Sequence, residues 1–319
     1  MTQPDVTKPM RVQWPTLIIC SLCYGGFFVS TFYTDTLGLL AAGFILTLAL
    51  TLFSSFSHEV LHGHPFRNET LNTLLVFPAL GLLIPYPRFR DTHLAHHHDP
   101  SLTDPYDDPE TNYIDPAVWV TWLPLRRTVY QLNNTLLGRM LLGPFIGLAT
   151  FYVHDAKAML SGDRRVIEGY LFHVAGLVPV LWWLTTVSAM PLWVYLAAVY
   201  ASHAILKIRT FLEHCAHEKA RCRSVIIEDR GILALLFLNN NLHAVHHARP
   251  RVPWYWLPRV YALKREAYLK RNGGYTFGSY REVMGLFLFK IKDPVPHTQM
   301  PMPSQPHPSM EQPVETLTY

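Results

Sequence analysis

Two stretches of this 319-residue chain are almost free of charge, and they limit the fold more than any other feature. From Val12 to Ser57 the only formal charge is Asp35, and from Gly169 to Leu206 there is no Lys, Arg, Asp or Glu. Each stretch is long enough for two spans of about 20 residues joined by a tight turn. Turns are expected near Asp35 and near Ala189, giving two transmembrane hairpins at about residues 12–57 and 169–206. Composition agrees, with 50% hydrophobic and only 16% charged residues, against about 25% charged in an ordinary soluble domain.

A hairpin returns the chain to the side it left, so both termini and everything between the hairpins share one face. All 27 Lys and Arg lie outside the two runs. Lys8, Arg11, Arg67, Arg164, Arg165, Lys207 and Arg209 mark the boundary, and the positive-inside rule makes the shared face cytoplasmic. The net charge of +4 is explained by this topology and anionic lipid, so no nucleic acid partner is implied. Thr2 to Lys8 is polar and the apolar run after it is too long for a cleavable signal. Cys20 and Cys23 fall inside the first span and are expected to pack there. Cys215 and Cys222 lie on the reducing side, so no disulfide framework is expected.

On that face lie three histidine boxes: His58-x-x-x-His62, His93-x-x-His96-His97 and His243-x-x-His246-His247. Residues four apart on a helix differ by about 40° in direction and about 6 Å in rise, so each box can present its imidazoles to one metal. Three boxes supply more nitrogens than one zinc uses, so two metals are implied. Imidazole suits iron, zinc, copper and nickel alike. His58-Glu59-Val60-Leu61-His62 is also a literal H-E-x-x-H, the zinc metalloprotease signature with its glutamate base. A zinc membrane protease is therefore a different-class alternative, although it leaves two boxes without a purpose. A non-enzymatic metal-binding membrane protein is a third reading.

Residues 1–11 read as a polar lead, 12–292 as one membrane domain, and 293–319 as a disordered tail rich in Pro, Gln, Ser and Thr. Thr70 to Pro87 is apolar but broken by Pro78, Pro85 and Pro87. It cannot cross once if the first two boxes share a side, so it is expected to be re-entrant or interfacial. Leu136 to Val153, interrupted by Arg139, suits an interfacial helix. The loop after the second box carries Asp99, Asp104, Asp107, Asp108 and Glu110. Carboxylates there can hold ligand imidazoles in their tautomer, but most are expected to be solvated. Asn239, Asn240 and Asn241 precede the third box and are expected to cap its helix, with Asn240 and Asn241 also in reach of ligands.

The three boxes, set around a second hairpin, resemble the membrane fatty acid desaturase and hydroxylase superfamily from about Val12 to Leu257. The resemblance implies an all-α integral membrane protein: four transmembrane helices in two hairpins, with a cytoplasmic helical cap holding a histidine-rich di-metal site. It implies two iron ions, dioxygen as co-substrate and removal of hydrogen from an unactivated C–H bond. It also implies His58, His62, His93, His96, His97, His243, His246 and His247 as ligands. A ninth ligand is usual just after the second hairpin. Arg209-Thr210-Phe211-Leu212-Glu213-His214 is similar to the asparagine-x-x-Glu-His segment of alkane hydroxylases, which makes His214 the ninth and His217 its competitor. The asparagine of that segment falls at Thr210, so its outer role does not carry over. Glu59 and Glu213 are further candidates for contact with the ligands. His64, His98, His154, His173 and His203 are left as structural or outer residues.

Two electrons per turnover require a donor, and the chain has no recognisable cytochrome, flavin or ferredoxin segment. A separate ferredoxin, rubredoxin or cytochrome with its reductase is expected, steered to Arg249, Arg251 and Arg259; lipid headgroups are the other partner for these arginines. The expected activity is desaturation of a fatty acyl lipid in a bacterial inner membrane. Hydroxylation of a lipid, alkane, carotenoid or small amino-acid-derived metabolite is the alternative.

Overall fold

The computed structural model describes residues 12–97 and 101–301. Its long elements are α1 (Trp14–Phe32), α2 (Leu39–Leu61), α3 (Tyr86–His96), α4 (Leu136–Leu160), α5 (Arg164–Thr186) and α6 (Leu192–Thr210). The short α7 (His243–Ala248) carries the third box, and the two-residue strands β1 (Ile226–Ile227) and β2 (Thr276–Phe277) pair in parallel beside it.

The first charge-poor run folds as a hairpin. Pro15 opens α1, and the chain reverses through a short helical turn at Thr34–Leu37 and Gly38, whose φ of +78° is costly for a residue with a side chain. Small residues let the arms approach: a Cβ on Gly26 would lie 2.8 Å from that of Ala49. The second run forms α5 and α6, and its turn rests on the first. Ala189 N–H and the Ser188 hydroxyl donate to the Thr31 carbonyl at 3.0 and 3.1 Å, and the Trp183 indole donates to the Thr31 hydroxyl at 2.9 Å. At the other end of α1, Gln13 N–H donates to the Pro65 carbonyl, three residues past His62. Both reversals therefore lie at the end opposite the histidines.

Among the described residues four helices are long and apolar enough to cross a membrane, but they are α1, α2, α4 and α5 rather than the four hairpin arms. α6 drops out because His203, Lys207 and Arg209 occupy its last turns. α4 enters because Leu136 to Val153, helical throughout, carries a single charge, Arg139; the helix then runs on to Leu160. Its ends are tied to the second box's surroundings, Arg139 donating to Asn112 of the loop after that box. Arg139 Nε donates to the Asn133 carbonyl at 2.8 Å, and Asp155, fully buried, takes a two-pronged bond from Arg88 of α3 at 2.8 and 3.0 Å. That holds α4 along the histidine end of the bundle.

Between the short helix Glu69–Leu74 and α3 the chain is irregular, yet it is inserted among α1, α5 and α6. Irregular backbone survives in an apolar setting only where its polar groups are matched. Here the matches come from side chains: Tyr24 donates to Leu75 O at 2.7 Å, Tyr195 to Leu80 O at 2.5 Å, and His173 to Leu82 O at 2.9 Å. Ala79 N–H donates to the Gly176 carbonyl, and a Cβ on Gly176 would lie 2.1 Å from the Phe77 carbonyl oxygen. α5 thus needs glycine at this point to admit the segment.

The tail expected to be disordered from Asp293 is docked as far as Pro301. Ile114 N–H donates to Val295 O, His297 N–H donates to Ile114 O, and Val295 packs against Trp119 and Trp122. A short backbone pairing, Val295 and side-chain bonds from Asn134 and Tyr113 to Asp293 and between Thr103 and His297 hold it, which composition averaged over the tail conceals. Residues 1–11 and 302–319 lie outside the described residues, as do His98 and Asp99.

Candidate metal centre

Each box lies on or at the end of a helix, which fixes its side chains by backbone geometry alone. The last turn of α2 and its end deliver His58 and His62, α3 and its C-terminal residue deliver His93, His96 and His97, and α7 delivers His243, His246 and His247. His214 follows α6 and is pinned by a bridge to Ser224. The nine rings fall into two groups whose donor atoms lie within 4.8 Å of one another: His58, His62, His93, His97 and His246, and then His96, His214, His243 and His247. The groups adjoin, with the His97 and His247 rings stacked at 4.2 Å between centroids.

Within the first group His58 Nε2 and His97 Nε2 each lie 3.0 Å from His93 Nε2, and His246 Nε2 lies 3.1 Å from His97 Nε2. Within the second, His214 Nε2 lies 2.8 Å from His96 Nε2 and 3.0 Å from His243 Nε2, which is 3.0 Å from His247 Nε2. The far nitrogens decide what these approaches mean. His93 Nδ1 donates to Glu110 at 2.8 Å and His96 Nδ1 to Asp108 at 2.7 Å. With the proton held at Nδ1, a neutral ring presents a bare lone pair at Nε2. Lone pairs aimed at one another repel unless a cation lies between them. His62 Nε2 is buried with no hydrogen-bond partner. The donor set therefore fits two cations, one per group.

Burial, then neighbouring imidazoles, hold His214, His243, His246 and His247 well below the ordinary imidazole range, in the neutral form that binds metal. His96 differs. Burial opposes its charge, but Glu110 and Asp108 outweigh burial and raise it to about 9, so a cation at its Nε2 would displace the ring's second proton and leave the Nδ1 proton hydrogen-bonded to Asp108.

The acidic loop is more committed to the site than its sequence suggests. Asp108 also accepts the N–H groups of Thr103 and Glu110 at 2.8 and 2.9 Å, so it shapes the loop while holding His96. Asp104 instead caps a local turn through Tyr106 N–H and Asp107 N–H. The signal for Asp108 and Glu110 was their closeness to the second box, which does not distinguish them from Asp104.

Glu213 lies 3.0 Å from Arg209 Nε and 3.6 Å from His243 Nδ1, and Asn240 bridges the two by accepting from His243 at 3.2 Å and donating to Glu213 at 3.3 Å. Arg209, rather than the neighbouring Thr210, is thus the partner of Glu213. The asparagines do not cap α7, whose N-cap position is Leu242, with no side-chain cap. Asn241 donates to the carbonyls of Ile227 and Asp229, and Asn239 donates to that of Trp254. Both hold the incoming loop, at a point where Leu238 and Asn239 adopt positive φ and the chain turns sharply. Glu59 is likewise a strut: it accepts Trp254 N–H at 3.0 Å and lies 3.9 Å from His58 Nδ1, behind the metal-facing nitrogen.

The other histidines are elsewhere. His64 Nδ1 meets the Gln13 amide at 2.7 Å, His154 is exposed, and exposed His217 accepts Lys219 N–H. His214, not His217, joins the second group. His173 and His203 line a cavity of about 130 Å³ bounded by α2, the irregular segment before α3, α5 and α6. Phe89 also lines that cavity, and its ring lies 5.8 Å from that of His93.

The model of the family described as Fatty acid desaturase matches residues 35–279, a segment that holds both hairpin turns, all three boxes and His214. No curated protein matches the sequence significantly. A match over most of the chain, around two groups of histidines at the end of a helical bundle, settles membership. The chain belongs to the fatty acid desaturase family.

Proposed function

We propose that this protein is a dioxygen-dependent di-iron oxidoreductase that desaturates an unactivated C–C bond of a lipid, with electrons from a separate ferredoxin, rubredoxin or cytochrome and its reductase. Family membership already makes it an integral membrane oxidoreductase of the desaturase or hydroxylase type. The observation that carries the finer reading is the pairing of two adjoining histidine groups with an apolar cavity lined by Phe89, whose ring packs 5.8 Å from that of His93.

The five-histidine and four-histidine groups would each hold one iron. Iron supplies the redox chemistry needed to attack a saturated carbon, which zinc lacks. The residues do the rest. Asp108, Glu110 and Asn240 fix ring orientation, Phe53, Val76, Phe77 and Phe172 line the cavity, and burial excludes bulk water. A zinc protease would need Glu59 at the metal as a base, whereas its carboxylate is spent on Trp254 behind His58.

Hydroxylation uses the same constellation and is the second reading. Exposed Arg251 and Arg259 suit an acidic donor on the histidine side, and Arg259 is braced over Trp256 at 5.1 Å. That side is read as cytoplasmic, in a bacterial inner membrane, from the placement of Lys and Arg. The test is to compare lipid extracts of cells producing the wild type and His246→Ala by mass spectrometry. A product two hydrogens lighter that vanishes in the variant is expected. A product one oxygen heavier would favour hydroxylation, and identical extracts would refute both.

A further inference from the structure

Chain direction fixes which helices change sides. α5 starts beside the second box, because Arg165 in its first turn donates twice to Asp91 of α3, at 2.7 and 3.0 Å, and Asp91 is two residues before His93. It ends at Thr186, next to the turn that rests on Thr31 at the end opposite the histidines. α6 returns from that turn and is followed by His214. α5 and α6 are therefore a crossing pair, and the polar residues of α6 lie where it emerges among the histidines.

α4 makes no such change of side. Only residues 161–163 separate it from α5, so its last turns are on the histidine side, where Asp155 meets Arg88 of α3. Its start is there too. Arg139 donates to Asn112, two residues from the Glu110 that holds His93, and Leu137 N–H donates to Leu288 O at 3.0 Å. Lys292 N–H donates to Asn134 O at 3.0 Å, and Lys292 Nζ donates to the His214 carbonyl at 2.7 Å. The 25 residues of α4 span about 37 Å, so two ends on one side mean an axis that runs along the membrane.

The outer face of α4 is apolar from end to end. Leu141, Phe145, Ala149, Tyr152, Ala156 and Leu160 are exposed, and their spacing keeps them within about 100° of one another around the helix. Leu132 just before the helix, and Phe289 and Ile291 beside its start, are exposed as well. Within residues 123–160 the only acid is Asp155, spent on Arg88, whereas Arg126 and Lys157 are exposed. Apolar and basic residues on the outside of a long amphipathic helix suit the boundary between headgroups and acyl chains. α5 continues this apolar surface into the bilayer with exposed Leu171, Val174 and Val178.

We propose that α4 lies in the membrane plane and that its exposed face binds the lipid leaflet on the histidine side, with anionic headgroups at Arg126 and Lys157. The helix thereby seats the metal-binding end on the membrane surface, and the crossing helices are α1, α2, α5 and α6. This placement depends neither on the oxidoreductase reading nor on which metal is bound.

The test uses the full chain in sealed membrane vesicles of both orientations, labelled with a membrane-impermeant maleimide, and labelling of the wild-type cysteines is subtracted. Ser161→Cys, in the turn after α4, should react from the same side as exposed His217→Cys near the histidines, and from the side opposite to exposed Asp35→Cys at the first reversal. Reaction of Ser161→Cys from the Asp35→Cys side would overturn the proposal. The lipid face is read in nanodiscs with a fluorophore on Phe145→Cys. Phospholipids brominated near the headgroup should quench it more than those brominated at the chain end. Stronger quenching from the chain end would mean a crossing helix, and no quenching from either would mean that water or a second copy of the chain covers the face; each overturns the proposal. Brominated anionic lipid should quench at a lower mole fraction than brominated zwitterionic lipid, by about fivefold for each cation. Changing both Arg126→Gln and Lys157→Gln should remove that difference, and equal quenching of the unaltered face by the two lipids would overturn the headgroup assignment.

Discussion

Asp108→Asn isolates one of the two histidine groups. The carboxylate lies 2.7 Å from His96 Nδ1 and also accepts Thr103 N–H at 2.8 Å through its other oxygen. The amide keeps the size but has one oxygen for three donors, His96, Thr103 N–H and Glu110 N–H, and no charge. A hydrogen bond to a charged acceptor contributes about 1.5–3 kcal/mol, and the outer partner of a metal-binding histidine is worth about 10–100-fold in affinity, a consistent range. Asp108 touches the ring of His96 and none in the five-histidine group, so the loss should fall on one ion. In a chelator titration of iron retained per chain, one of two ions should leave at a concentration about 10–100-fold lower than in the wild type, the other at an unchanged one. Glu110→Gln should weaken mainly the other ion, through His93. Unchanged release of both ions in Asp108→Asn would refute the reasoning and return this carboxylate to the solvated loop.

Glu59→Gln should keep most iron and activity, because the amide oxygen still accepts Trp254 N–H; Glu59→Ala should lower stability by about 1–3 kcal/mol in thermal unfolding, and equal damage from both would contradict the strut role. Gly176→Ala should cost about 1–3 kcal/mol or more and reduce the folded yield, since its Cβ meets the Phe77 carbonyl at 2.1 Å, and a wild-type melting temperature would show that the re-entrant segment is misplaced. Glu228, bonded to Arg265 and Tyr261, is held down to about 2 from an ordinary 4.5, so it stabilises the fold above pH 4.5 and loses that contribution as pH falls toward 2. Glu228→Gln should therefore melt below the wild type at neutral pH and converge with it under acid, and a gap that widens under acid would reverse the sign of this argument.

The hairpins and the boxes were legible because both depend on local rules. Absence of charge over two spans is a property of contiguous residues, and i, i+3 and i, i+4 spacing fixes direction on a helix. The family match over residues 35–279 covers the three boxes, the second charge-poor run and the latter part of the first. What stayed hidden depends on contacts distant in sequence. Nothing in the acidic loop separates Asp108 and Glu110 from Asp104 until the fold places two of them against imidazoles. Capping by Asn239 to Asn241 was the local inference, and the fold used Asn239 and Asn241 on loop carbonyls and Asn240 on His243 instead. The span assignment by length and composition exchanged α6 for α4 because polar residues cluster at the histidine end of α6, while Leu136 to Val153 carries only the single charge of Arg139. His173 and His203, set aside as structural, turned out to line the cavity.

The most direct test of the account is the metal content of the purified protein, counted per chain by mass spectrometry. Two adjoining histidine groups at the end of the bundle predict about two irons, falling in His97→Ala and in His246→Ala. About one zinc per chain with no iron would contradict the central claim and restore the H-E-x-x-H protease.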